Sequence, residues 1–92
     1  MTANPGPYAG IKVLDFGQVM AAPYASMVLA DLGADVVKVE SPAGDATRNY
    51  MPPDVDGHSP YFLFVNRNKR GLAIDLKSKD GRDAVIAMVE KV

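Results

Sequence analysis

Between Ile11 and Glu40 the apolar residues fall into two short runs with a helix-spaced stretch between them. The run Ile11 to Phe16, IKVLDF, predicts a first strand. Ala34 to Glu40, ADVVKVE, with Val36, Val37 and Val39, predicts a second. Between them Tyr24, Val28 and Leu32 fall four apart with Ala25 and Leu29 beside them, which predicts one apolar helical stripe facing a sheet. Pro23 suits the first helical position, where a missing N–H costs nothing. Gly33 supplies the left-handed residue that ends such helices. Two apolar strands joined by one helix make a βαβ unit, whose crossover is right-handed in nearly all proteins. Ligands of open parallel sheets bind beyond the carboxyl ends of the strands. The loop Gly17 to Ala22 and the residues after Glu40 therefore form the candidate surface.

The pattern then breaks. Ser41 to Ser59 carries Pro42, Pro52, Pro53, Gly44 and Gly57 with no periodicity and reads as a long loop; loops longer than about 12–15 residues are uncommon and usually functional or mobile. Ser59-Pro60 predicts a short helix through Tyr61 to Asn66, although YFLFV also suits a strand. After the basic cluster Asn66 to Arg70, the alternation of Leu72, Ile74 and Leu76 with Ala73 and Asp75 predicts a third strand. Ser78 is an N-cap for a final helix from Lys79 to about Lys91, with Val85, Met88, Val89 and Val92 placed on the sheet and Gly81 weakening its first turn. The order is β-α-β-loop-β-α. The fold class is α/β, an incomplete Rossmann-like parallel sheet of three strands and two main helices, with residues 1–9 a flexible tail and 10–92 one incomplete domain. A parallel sheet normally has both faces covered, and a chain this short buries a small fraction of its surface. The economical reading is the amino-terminal piece of a longer α/β protein.

Composition narrows the partners. A formal net charge of −1 exerts no pull toward nucleic acid or anionic membrane. The chain has no cysteine, which removes disulfides and thiolate metal sites and leans mildly toward the cytoplasm. Met1 to Ala9 has no basic and apolar regions of a signal peptide, and no apolar run approaches the roughly 20 residues of a membrane span.

Glu40, at the end of the second strand, stands where a dinucleotide-binding protein holds a ribose, yet the glycine fingerprint is missing: the first loop, Gly17 to Pro23, has one glycine, and Pro23 removes an N–H donor. Lys77, Ser41 and Val19 are more informative. If all three strands are parallel, these positions converge on one rim, where Lys77 beside apolar Val19 and Ile74 can meet the phosphates of a nucleotide; the plain alternative is a solvated lysine. Arg48 lies on the same side, within reach of a phosphate or carboxylate. Arg67, Lys69 and Arg70 enter the third strand at the opposite edge and read as a surface or subunit-contact feature. His58 has no second ligand in sight, so no metal is expected. Asp15 and Asp75 read as loop anchors, and Tyr61, Phe62 and Phe64 as a hydrophobic plug. No nucleophile–base pair is readable.

GIKVLDFGQVMAAPYASMVLADLGADVVKVESPAGDATR followed by NRNKRGLAIDLKSKDGR resembles the opening of the class III CoA-transferases, a family that includes formyl-CoA and carnitine-type CoA-transferases and the related alpha-methylacyl-CoA racemases. The resemblance runs from Gly10 to Val92 and rests on the order of VLDF, LADLGADVVKVE, the G-D-x-x-R loop (Gly44, Asp45, Arg48), and NKR before DLK. It implies a much longer enzyme, an interlocked homodimer acting on acyl-CoA and carboxylic acid substrates. It further implies an aspartate that attacks the donor thioester and carries CoA as an aspartyl-CoA intermediate. That aspartate falls beyond Val92, so the 92 residues alone are expected to be inactive. CoA contacts carried over by motif position are Val19, Ser41, Ile74 and Lys77. Two positions depart from the family: Ala22 replaces the usual glycine before the proline, narrowing the loop, and Ser41 replaces a common arginine, a contact that Arg48 is placed to supply. A racemase of the same family and a non-enzymatic nucleotide-binding module are the alternative readings.

Overall fold

The computed structural model describes residues 6–18 and 20–92. Three strands, β1 (Lys12–Asp15), β2 (Asp35–Glu40) and β3 (Lys69–Ala73), form one sheet in the order β1-β2-β3 with every pairing parallel. Helix α1 (Ala21–Asp31) joins the first two strands, a single 3-10 turn (Ala46–Asn49) and the short α2 (Pro60–Val65) precede β3, and α3 (Lys79–Val89) follows it. No helix among the described residues is long and apolar enough to cross a membrane.

Local chemistry explains most boundaries. Helix α1 ends in a Schellman motif: Gly33 takes φ +109°, its N–H donates to the Ala30 carbonyl, and the Ala34 N–H donates to that of Leu29. Ser59 and Ser78 cap α2 and α3, their hydroxyls accepting from the N–H groups of Phe62 and Gly81 at 3.2 and 2.9 Å. Residues 1–5 of the expected tail lie outside the described residues. The turn at 6–9 is tied to the end of α1, because the Tyr8 N–H donates to the Leu32 carbonyl at 2.9 Å.

Three expectations are corrected. The sheet-facing side of α1 is Pro23, Ser26, Met27 and Ala30, while Tyr24, Val28 and Leu32 are exposed. The helix is apolar nearly all round, so its spacing supports two stripes; small Ser26 and Ala30 allow closer approach to the sheet, where Ala30 packs with Ala34 and Val36. The third strand begins three residues before the expected Leu72, so the basic cluster supplies its first residues. On α3 Val85 is buried and Met88 half-buried, whereas Val89 and Val92 are exposed.

Gly81 has a packing reason rather than a helix-weakening one. A Cβ there would collide with the Asp75 carbonyl oxygen, behind the turn that feeds α3. Gly81→Ala is therefore expected to lower stability by about 1–3 kcal/mol, read as a fall in the thermal midpoint. An unchanged or raised midpoint, as helix propensity alone would give, would contradict this packing.

Candidate functional site

The register of the sheet decides what meets at its carboxyl rim. Glu40 pairs with Ala73, and the Ile74 N–H donates to the Glu40 carbonyl at 2.8 Å, carrying the pairing one step past β3. Ile74 thus stands beside Ser41. An open cleft of about 230 Å³ forms there, with Phe16 and Gln18 from the loop after β1, Val39, Glu40 and Ser41 from β2 and its continuation, and Ile74 to Lys77 beyond β3. The Asp75 carboxylate turns this last segment, its Oδ1 accepting the Lys77 N–H at 2.9 Å. The Lys77 side chain is exposed, and its ammonium enters none of the ion pairs among the described residues. The floor is apolar and the cation is available, an arrangement suited to an anionic ligand with a flat hydrophobic part.

Of the five sequence-derived site residues, the structure brings Ser41, Ile74 and Lys77 together. Val19 lies outside the described residues. Arg48 is placed elsewhere: its guanidinium grips both oxygens of Glu40 at 2.7 and 2.8 Å and lies 4.0 Å over the Phe62 ring. It lines a separate polar cleft of about 160 Å³ with Lys38, Phe62, Asn66 and Lys69. Arg48 is therefore not among the residues that line the rim cleft. The same pair removes Glu40 as a ribose ligand, since Glu40 Oε2 also accepts the Asp45 N–H at 2.7 Å.

Beneath the rim lies a buried charge network that sequence reading missed. Positions alternate across a strand, so the register puts Asp15, Lys38 and Lys69 on the α1 face of the sheet. The Lys69 ammonium, with its side chain 1% exposed, donates to Asp15 Oδ2 at 2.8 Å, the Pro23 carbonyl at 3.0 Å and Asn66 Oδ1 at 3.0 Å. Lys69 is thus a core residue, a correction to its reading as surface, whereas Arg67 and Arg70 are exposed and paired with Asp31 and Asp35. Asp15 anchors the loop as expected, accepting the Gly17 N–H at 2.8 Å and the Ser26 hydroxyl at 2.7 Å. Lys38, 3% exposed, donates to the Gly17 carbonyl at 3.0 Å and meets Asp45 Oδ2 at 2.8 Å. Asp45 Oδ1 caps the 3-10 turn through Thr47.

Burial pushes the Asp15 and Asp45 carboxyls up, but the bonds from Lys69, Ser26 and Gly17 to Asp15, and from Lys38 and Thr47 to Asp45, hold both below the usual carboxylate range. Arg48 holds Glu40 low against its partial burial. Lys69 is pulled below the ordinary lysine value by burial, against its bond to Asp15, so this pair does not fully offset its desolvation. A signal for part of the network stood in the sequence: Lys38 and Glu40 share one strand face and meet Asp45 and Arg48, three apart on a turn, as two opposite-charge pairs.

A third cleft, of about 200 Å³, is lined by Lys12, Val13, Leu14 and Val37 of the sheet and by Met88 and Lys91 at the end of α3. Among the described residues no group of three His, Cys, Asp or Glu side chains is placed to hold a metal.

The comparisons with known proteins point to one family. CoA-transferase family III matches over residues 8–92. The chain is 51% identical over 76 residues to a succinyl-CoA:glutarate CoA-transferase of Mus musculus, which covers 82% of this chain and 17% of that relative. It is 44% identical over 84 residues to a formyl-CoA:oxalate CoA-transferase of Streptomyces coelicolor, covering 89% of this chain and 20% of the relative. A crystal structure of a CAIB/BAIF family protein from Brucella suis superposes with a TM-score of 0.90 at 41% identity, over 97% of this chain and 25% of that one. The chain thus spans 17% to 25% of the length of these relatives.

Proposed function

The chain belongs to CoA-transferase family III, and from that premise we propose that it supplies one wall of the CoA site in an enzyme that moves CoA between carboxylic acids. The observation that carries this reading is the exposed Lys77 side chain, in no ion pair among the described residues, in one cleft with Ile74 and Ser41. A lysine ammonium binds phosphate as a point charge, and the apolar Phe16, Ile74 and Leu76 give an adenine ring a surface beside it. The relatives act on succinyl-CoA and formyl-CoA by name, so the thioester partner here is an acyl-CoA.

The chemistry belongs to residues outside this chain. Two carboxylates line the cleft, and both are committed: Glu40 to Arg48 and the Asp45 N–H, Asp75 to the Lys77 N–H. The nucleophilic aspartate, which would take CoA as an aspartyl-CoA thioester and split one hard step into two easier ones, is supplied by the remainder of the enzyme. We further propose a Rossmann-like domain, a homodimeric whole enzyme and a cytoplasmic setting.

Calorimetry and amide-shift titration of the 92-residue chain with CoA, NADH and ATP test the reading. With one wall of the site present, CoA is expected to bind weakly and to shift Ser41, Ile74 and Lys77. Lys77→Ala is expected to cost roughly tenfold in affinity, the worth of one charge-assisted hydrogen bond. Equal binding of all three ligands, or CoA binding indifferent to Lys77→Ala, would overturn it.

A further inference from the structure

We propose that Lys38 is a positioning residue for the rim cleft: its buried ammonium ties together two loops that line it, fixing Phe16 and Gln18 relative to Glu40 and Ser41. The ligand's identity in this proposal rests on the CoA reading above; the bridge itself does not.

The geometry is short and closed. Lys38 Nζ donates to the Gly17 carbonyl at 3.0 Å and stands 2.8 Å from Asp45 Oδ2. Gly17 lies between Phe16 and Gln18, both cleft residues. Asp45 in turn donates its N–H to Glu40, so the loop that begins at Ser41 is closed back onto β2. One cation therefore holds the loop after β1 and the loop after β2. It does so from the sheet face opposite Val39, the neighbouring residue that lines the cleft, and so it acts without touching a ligand.

Two features separate this from ordinary core packing. Lys38 and Asp45 side chains are 3% and 2% exposed, so the pair is shielded from the screening that makes surface pairs weak. Asp45 Oδ2 meets Lys38 in the one ion pair that Asp45 makes among the described residues, its other oxygen being taken by Thr47. A buried pair of this kind gains little stability over apolar residues of the same size; what it provides here is a fixed spacing between two backbones. The loop it holds is also tight, since a Cβ on Gly17 would collide with the Ala22 side chain.

Lys38→Met alone leaves Asp45 buried and uncompensated, so the informative variant is Lys38→Met with Asp45→Asn, which removes both charges and keeps an oxygen for Thr47. Amide hydrogen exchange and CoA titration are read together on the 92-residue chain. The double variant is expected to keep the thermal midpoint within a few degrees. Its exchange should accelerate at least tenfold at both Gly17 and Gly44 relative to Ala30 and Val36 in the core, and its CoA affinity should fall at least fivefold. Unchanged exchange at the two loops overturns the bridge. So does a double variant that fails to fold, because Lys38 would then be holding the core rather than the rim. Loosened loops in the variant with no CoA binding to the parent chain support the bridge and count against the CoA reading alone.

Discussion

Lys69→Met is expected to unfold the chain or bring it to the edge of unfolding, at a cost of about 3–5 kcal/mol. The total stability of a small domain is only about 5–15 kcal/mol. The methionine matches the lysine stem in length but leaves Asp15, with its side chain 4% exposed, as a buried carboxylate without its counter-charge. It also strips the Pro23 carbonyl and Asn66 of their shared donor. Adding Asp15→Asn to Lys69→Met should restore most of the loss, because the amide oxygen still accepts the Gly17 N–H and no uncompensated charge is left buried at that position. Denaturant midpoints followed by circular dichroism measure both. A single variant as stable as the parent chain, or a double variant as weak as the single, would show that Lys69 is not the buried partner described here.

Loss of stability in acid is the second large effect expected. Asp15, Glu40 and Asp45 all have folded-state values held below their ordinary 3.8, 4.5 and 3.8. A carboxyl depressed on folding binds fewer protons in the folded state than in the unfolded one as pH approaches its unfolded value. Its contribution is complete above that ordinary range and drains away as pH falls through the lower folded values. Unfolding free energy should therefore hold level from pH 7 to about 5 and fall steeply below pH 4. The fall should persist in 1 M salt, since the Asp15–Lys69 and Asp45–Lys38 pairs are buried and weakly screened, unlike the exposed pair of Arg67 and Asp31. Stability that stays level to pH 2, or an acid limb abolished by salt, would contradict the network.

Much of the frame was legible because its signals are local. The valine run of β2, the helix stop at Gly33 and the serine caps at Ser59 and Ser78 each act within a few residues, and each fixes an element where it was expected. β3 was misplaced because its inward positions are Lys69, Gly71 and Ala73, a charged residue and two small ones, which give no apolar alternation. The α1 face is not legible from spacing because the helix is apolar nearly all round: small Ser26 and Ala30 go inward since they fit close to the sheet, and Tyr24 goes outward to meet Phe64 at 6.2 Å. At the rim, Ser41, Ile74 and Lys77 were readable from strand ends alone once the strands were taken as parallel. Arg48 was not, because loop position places a residue on a side of the sheet without saying which carboxylate it meets first. The pairing of Asp15 with Lys69 crosses 54 positions of sequence, and a single chain offers no local mark of such a partner.

The claim that the carboxyl rim is the CoA surface is tested most directly by a crystal structure of the chain soaked in CoA. The account expects phosphate density within hydrogen-bonding reach of Lys77 Nζ, with the nucleotide lying along Ile74 and Ser41. Density seated instead in the cleft at the end of α3, lined by Lys12 and Lys91, would contradict it.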